Sequence, residues 1–414
     1  MLVVGFLLVY SATLRTGMAL SFVLKQGFGI LLGAFLLLIV SAVDYRIYRQ
    51  YYAQIYFISL AALLGVLLFG KTYRGTRGWI DLGYFAFQPV ELTKILFITS
   101  LAGYLDKNSK ELFRWQKLVI PVLMMLGNAA LILLQPDFSS TLVYFPVFLA
   151  MCYTAGASAL HLSAIILFGF VAVSFPLART LLITSGNSFV YGILSYQWQL
   201  FAALGGLAAL VVFLWWFINR WRIRVPFFYF AMVFLIIGGA VASSYFVGKS
   251  IKDYQKKRLV AFINPNVDSL GAGYNIIQSQ IAVGSGRIFG KGIFAGTQAQ
   301  LGFVPAQHTD FIFSLIGEEL GFFFSFLLIA AYTLFVWRAF NVAHESREKY
   351  GAIVAVGIAG MFAFYGVLNI GMVVGLAPIT GLPLPFLSYG GSSIVMSLVS
   401  VGILISIYIR RFRY

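Results

Sequence analysis

Acidic residues are scarce in this chain. Its 414 residues hold 13 Asp and Glu in all, three His and one cysteine, and charged residues make up 10% of the total. The single Cys152 excludes a disulfide within the chain and carries no redox information. No basic n-region precedes the first apolar run, so neither a cleaved signal nor the cytoplasmic leader that often precedes such a span is expected. A nucleotide loop is missing too. Gly284 to Gly292 reads G-S-G-x-x-x-G-K-G, which does not have the spacing of a Walker motif.

What fills the chain instead is apolar sequence. Hydrophobic residues make up 61%, and the mean hydropathy is +0.91. No soluble domain needs that much apolar surface, and repeated long apolar runs mean transmembrane helices. Runs at 2–12, 27–43, 54–69, 89–104, 118–134, 139–155, 160–178, 198–219, 226–247, 309–336, 351–374 and 391–409 give about twelve spans by length. The expected fold is an all-α polytopic membrane bundle of roughly 10–12 transmembrane helices. Residues 1–414 form one membrane domain, with a long extracytoplasmic loop at 248–308 packed on the bundle.

Lys and Arg set the orientation. Arg46, Arg49, Lys107, Lys110, Arg114, Lys117, Arg220, Arg222 and Arg224 fall on one side, as do Arg338, Arg347, Lys349, Arg410, Arg411 and Arg413. Both termini are therefore expected in the cytoplasm, with loops 70–88, 179–197, 248–308 and 375–390 outside. Anchoring of this kind accounts for most of the net charge of +16, so nucleic acid is not an expected partner. The outer side holds the exception. Lys249, Lys252, Lys256, Lys257 and Arg258 crowd the entry to the long loop, and Lys71, Arg74 and Arg77 occupy another. They suit lipid headgroups or an anionic substrate. A loop of about 60 residues this rich in Gly cannot build its own core and must fold onto the bundle.

Asn264–Gly321 is the most informative passage. Asp268 stands alone near its start, and His308, Asp310, Glu318 and Glu319 close it. Ionisable residues within spans cost several kcal/mol unless paired or hydrated. Glu91 and Lys94 share a helix face at i,i+3, behind Pro89 at the helix start, and suit either an ion pair or a catalytic role. Asp137, after a proline at a helix end, suits an N-cap. Glu318 or Glu319 should face a polar cleft or a cation such as Lys94. His308-Thr-Asp310 has no second His nearby, so Thr309 or Asp310 reads as a helix cap and no dedicated metal site is expected. The glycines of 271–302, Gly271 and Gly273 among them, read as turns or as backbone brought close to a ligand. Asp268 itself sits in Asp-Ser-Leu-Gly, which is turn chemistry.

The motifs resemble those of the SEDS proteins, polytopic peptidoglycan glycosyltransferases, over nearly the whole chain. The matching pieces are VYSA in the first span, RGTRGWIDLG and FQPVELTK, QPDFSS, DSLGAGYNIIQSQIAVGSG, GTQAQLGFVPAQHTDFIFSLIGEELG and GLPLPFLSYGGSS. The wording around HTDFIF is similar to the rod-elongation branch rather than the division branch. The resemblance implies polymerisation of lipid II at the outer face of a bacterial cytoplasmic (inner) membrane, for cell elongation and rod shape. It places Asp268 on the family's essential acid. Glu91, Lys94, Arg258, His308, Asp310 and Glu318 fall on positions that line or support the central cavity, and Arg74, Arg77, Lys257, Gln278, Ser279, Lys291 and Ser388 are further candidates for substrate or pyrophosphate binding. Asp137, Gly271, Gly273, Pro383 and Pro385 are expected to shape the loops. A class B penicillin-binding protein transpeptidase and other elongation-complex membrane proteins are the implied partners, alongside membrane lipids. Asn264, Ser269 and Ser139 depart from the family pattern, and residues 160–219 look like an added transmembrane hairpin, a lineage-specific peripheral pair.

The chemistry fits a lone acid. Inverting transfer from a lipid pyrophosphate needs one base for the attacking 4-hydroxyl, while the leaving pyrophosphate needs charge compensation rather than a second acid. No cofactor is required by the sequence; Mg2+ or Mn2+ is an option for that compensation. The competing class is a transporter or flippase of lipid-linked precursors, which would use many spans with buried Glu, Lys and Asp equally well. Against it stand the absence of an evident inverted repeat and the concentration of polar sequence on one side.

Overall fold

The computed structural model describes residues 1–14, 19–73, 76–81, 83, 86–184, 197–220, 230, 234, 237–239, 258, 261–262, 265, 271–304 and 306–412. Asp268, Lys257 and Arg74, and most of the run at 226–247, lie outside them. Two compact units emerge: Met1–Ser158 with Ser269–Tyr414, and Ala159–Asp268.

The first unit is a helical bundle. Its helices are α1 (Leu2–Thr13), α2 (Ala19–Ala42), α3 (Arg46–Gln50), α4 (Tyr52–Phe69), α5 (Pro89–Lys107), α6 (Trp115–Leu134) and α7 (Phe138–Ala155). The second unit contains α8 (Ala159–Thr184) and α9 (Gln197–Arg220), which occupy the expected hairpin region at 160–219. The bundle resumes with α10 (Ala272–Ser285), the short α11 (Thr297–Gln300), α12 (Ile312–Glu345), α13 (Lys349–Val374) and α14 (Gly391–Ile409). Seven helices among the described residues are long and apolar enough to cross a membrane: α2, α4, α6, α7, α12, α13 and α14. The protein is a multi-pass membrane protein.

Local chemistry sets the helix ends. Pro89 opens α5, where its missing N–H costs nothing. Asp137 caps α7, accepting from the Ser140 amide at 3.0 Å and its hydroxyl at 2.7 Å. Gly156 and Gly375 end α7 and α13 in the left-handed conformation (φ 96° and 83°). Helix α5 carries Glu91, Lys94 and Asp106 and is buried along most of its length, against α4, α7 and α13. Its polar residues are interior groups of the bundle.

Three elements differ from the sequence reading. Helix α2 starts at Ala19 rather than near 27, because Gln26 is buried: its amide donates to the Ser388 carbonyl and accepts from the Gly390 amide. The first part of the glycine-rich stretch after 271 is the helix α10, which packs on α12 and α13, while Gly290, Gly292 and Gly302 turn at positive φ as expected. The loop between α4 and α5 folds into a small antiparallel sheet, β1 (Lys71–Tyr73), β2 (Thr76–Asp81) and β3 (Ala86–Phe87), in the order β1-β2-β3.

The bundle end away from this sheet is tied by ion pairs. Arg46 meets Glu348 at 2.9 Å, Arg49 meets Asp106 at 2.7 Å, and Arg411 meets Glu345 at 3.3 Å. These are the same basic loops whose charge sets the expected orientation.

Candidate functional site

The sequence motifs converge at the sheet end of the bundle. The Gln88 amide donates to the Ser392 hydroxyl at 2.9 Å, and Ser392 donates to the Ala86 carbonyl at 3.1 Å. Ser139 of QPDFSS donates to the Thr380 carbonyl. Asn369 of α13 donates to the carbonyls of Asp310 and Leu382, at 2.8 and 2.7 Å. Tyr389 donates its amide to the His308 carbonyl at 2.8 Å, and the His308 ring packs against Phe22 and Tyr389. The Ser388 hydroxyl accepts from the Leu384 amide at 2.8 Å. This bond closes the turn around Pro385, directly after Pro383, on which Gly5 of α1 packs so closely that a Cβ would sit 2.6 Å from the Phe386 carbonyl.

Below this end, Lys94 donates to Glu91 at 2.7 Å and to the Tyr365 hydroxyl, and is 2% exposed. Thr93 and Tyr144 share a hydrogen bond of 3.0 Å on the neighbouring face. A small cavity between α5, α7 and α13 is lined by Lys94, Tyr144 and Met361. The Glu91–Lys94 pair is thus enclosed and mutually neutralised, which is the arrangement a buried charge requires.

Glu318 corrects the expectation about its cation. Lys94 is committed to Glu91, and Glu318 instead takes Lys291 at 2.7 Å while fully buried. The same carboxylate oxygen accepts from the Thr297 hydroxyl at 3.1 Å and the Gln298 amide at 2.9 Å. Lys291 also reaches the Thr297 hydroxyl at 2.8 Å. Glu319 accepts from Ser11 of α1 at 2.5 Å. Helix capping near His308 is corrected too. Residues 306–311 form a turn closed by the Thr309 and Phe311 amides on the Ala306 carbonyl, so the helix begins later. Phe311 takes the cap position with no side-chain bond, and Thr309 turns back to Ala306.

Of the basic residues expected outside, the described Arg77 and Lys71 are engaged. Arg77 donates to the carbonyls of Gly70 and Leu68, both at 3.0 Å, and so caps the end of α4. Lys71 pairs with Asp81 at 2.8 Å. That hydrogen bond, helped by the Gly83 amide, holds the Asp81 carboxyl below its usual range. Arg258 is a half-buried helical residue of the second unit. On α10, Gln278 is half-buried, Gly273 is buried, and Ser279 donates to the Val373 carbonyl at 3.0 Å. Gly271 occupies the cap position of α10.

A family model for FtsW, RodA and SpoVE, described as cell cycle proteins, matches residues 1–200 and 204–412. The chain belongs to this family. Among its SEDS relatives is the peptidoglycan glycosyltransferase RodA of Treponema pallidum, 35% identical over 99% of this chain and 95% of the relative. MrdB of Escherichia coli, also a peptidoglycan glycosyltransferase, is 30% identical over 98% of this chain and 91% of its own length. A solved structure described as a peptidoglycan synthase complex coordinating polymerization and crosslinking aligns with a TM-score of 0.68 at 25% identity, covering 100% of this chain and 96% of that one. RodA of Thermus thermophilus has the same fold, with a TM-score of 0.61 at 23% identity, covering 100% of this chain and 94% of that one. The family match takes in 160–200 and 204–219, most of the stretch read above as an addition.

One residue of this SEDS bundle escaped the sequence reading. Arg287 is exposed and left-handed (φ 51°), and its carbonyl accepts from the Phe322 amide at 2.8 Å. A long side chain held at positive φ costs about 1–3 kcal/mol, and the conformation is kept by the surrounding contacts of this segment, the Phe322 bond among them. Nothing in the spacing of G-S-G-R shows it. Among the described residues no three His, Cys, Asp or Glu gather to hold a metal ion.

Proposed function

We propose that the chain polymerises lipid II into glycan strands at the extracytoplasmic face of the membrane, for cell elongation, with Asp268 as general base. The supporting observation is the near full-length match to relatives named peptidoglycan glycosyltransferases, which makes this chain a glycosyltransferase of that class. The charge of the short loops supports cytoplasmic termini and a sheet end on the outer side.

In this reading the incoming GlcNAc 4-hydroxyl attacks the anomeric carbon of the lipid-linked chain. Asp268 takes the hydroxyl proton as the new C–O bond forms. The bond to pyrophosphate breaks with its electrons on the phosphate oxygen, so the α-linked sugar leaves β-linked and the polyprenyl pyrophosphate departs. Cations at the entry to the loop, Lys257 and Arg258 with the neighbouring lysines, compensate the leaving charge. A bound Mg2+ or Mn2+ would add to that compensation. Cross-linking falls to a partner, for which a class B penicillin-binding protein fits, in line with the structural likeness to a synthase complex.

Purified protein given labelled lipid II in detergent tests this directly. Long glycan from the wild type, and none from a folded Asp268→Asn variant, is the expected outcome. Polymer from Asp268→Asn removes the acid assignment. Translocation in liposomes without polymer would favour the transporter class.

A further inference from the structure

We propose that Glu318 is a positioning residue for this reaction, latching the segment after α10 onto the broken end of α12. The proposal rests on the reading of Asp268 as base. It begins with an interruption in α12. Gly321 has φ 75° and ψ −174°, a conformation open to glycine alone, so Ile312–Leu320 and the stretch from Phe322 are separate helices end to end. The segment 287–292 fills the break. The Phe322 and Phe323 amides donate to the carbonyls of Arg287 and Ile288, while the Lys291 and Gly292 amides donate to those of Glu318 and Glu319, all between 2.8 and 3.0 Å.

Glu318 is the side chain that secures the rest of that segment. One oxygen holds Lys291, Thr297 and the Gln298 amide together. Glu318 is 0% exposed, and the Lys291 side chain is 28% exposed. An ion pair so placed is screened far less than one in water. Lys291 is therefore assigned here to the latch and not to pyrophosphate.

The latch bears on catalysis through α10. Helix α10 begins at Ala272, four residues after Asp268 in the chain. Its far end meets the first half of α12 at backbone contact: a Cβ on Gly286 would lie 1.9 Å from the Gly317 carbonyl oxygen. Ser279 fixes its middle to α13. With Glu318 in place, both the helix and the segment leaving it are held. Without it, α10 loses the restraint on its exit and is free to shift along its own axis between its remaining contacts, and a shift of about 1 Å at a reacting group can cost 10²-fold in rate.

Full-length protein in nanodiscs, assayed with labelled lipid II, reads the latch. Glu318→Ala and Lys291→Met should each lower kcat by about 10²-fold with KM within about threefold, because neither side chain binds substrate in this assignment. The double variant should fall no further than Glu318→Ala alone, since the pair acts as a unit. Glu318→Gln keeps the acceptor for Thr297 and Gln298 and should recover part of kcat. If Glu318→Ala does not fold, Glu318→Gln carries the test, with kcat below wild type at unchanged KM. Amide exchange should rise within 286–300 and not across the bundle. Rates within threefold of wild type, additive losses, or losses that track only the folded fraction would overturn the proposal. Polymer from Asp268→Asn, run in parallel, would instead sink the reaction reading, while the exchange pattern still reports the latch.

Discussion

Gly290 and Gly321 meet backbone to backbone, both at positive φ (80° and 75°), with no space for a side chain on either. A Cβ on Gly321 would lie 2.2 Å from the Gly290 nitrogen, and one on Gly290 would lie 2.1 Å from the Glu319 carbonyl oxygen. The interruption of α12 and the turn of the returning segment are thus one joint, made from two glycines that lie 31 positions apart.

Alanine at either position should be costly for two independent reasons, strain and overlap. Strain alone is worth about 1–3 kcal/mol, and the overlap is with backbone, which cannot rotate away. Thermal unfolding in detergent should show a clear fall in Tm for Gly290→Ala and for Gly321→Ala. Gly205→Ala serves as the control, because a Cβ there meets nothing within 4 Å. Equal Tm values for all three would contradict the joint.

The Glu91–Lys94 pair separates packing from chemistry. Removing one partner leaves the other charge buried, which costs about 3–5 kcal/mol. Glu91→Gln and Lys94→Met should each destabilise the bundle, and the double variant should recover most of the loss. Recovery of glycan synthesis along with stability would make the pair structural. A stable double variant that forms no glycan would assign it to catalysis.

Asp137 gives a smaller test. Its cap on α7 predicts that Asp137→Ala costs about 0.5–2 kcal/mol and that Asp137→Asn recovers most of it, because the amide oxygen still accepts from Ser140. A charged role at the site would make Asp137→Asn as inactive as Asp137→Ala in lipid II polymerisation, at near wild-type Tm.

Much of the bundle was legible, because burying helices in a bilayer demands long apolar runs and proteins obey that constraint locally. The Asp137 cap was legible for the same reason: cap and helix are neighbours in sequence. Gln26 misled because its burial depends on the Ser388 carbonyl and the Gly390 amide, more than 360 residues away. The strands β1–β3 were missed because three short strands among glycines carry no alternating pattern long enough to count. Glu318 was read as needing a cation, correctly by the cost of burial, but the choice of Lys291 over Lys94 is set in three dimensions. Arg77 has the look of a free outer cation in the sequence, yet its guanidinium sits on the last carbonyls of α4.

The division of α12 also bears on how the chain is assembled. The stretch beginning at Phe322 starts with open backbone amides, and two of their acceptors, the carbonyls of Arg287 and Ile288, belong to the segment before it. A span inserted without that segment would present bare N–H groups where it enters hydrocarbon, a state the bilayer penalises strongly. Residues 287 and 288 therefore act as a cap supplied from outside the helix, completing a span whose own sequence leaves those amides open.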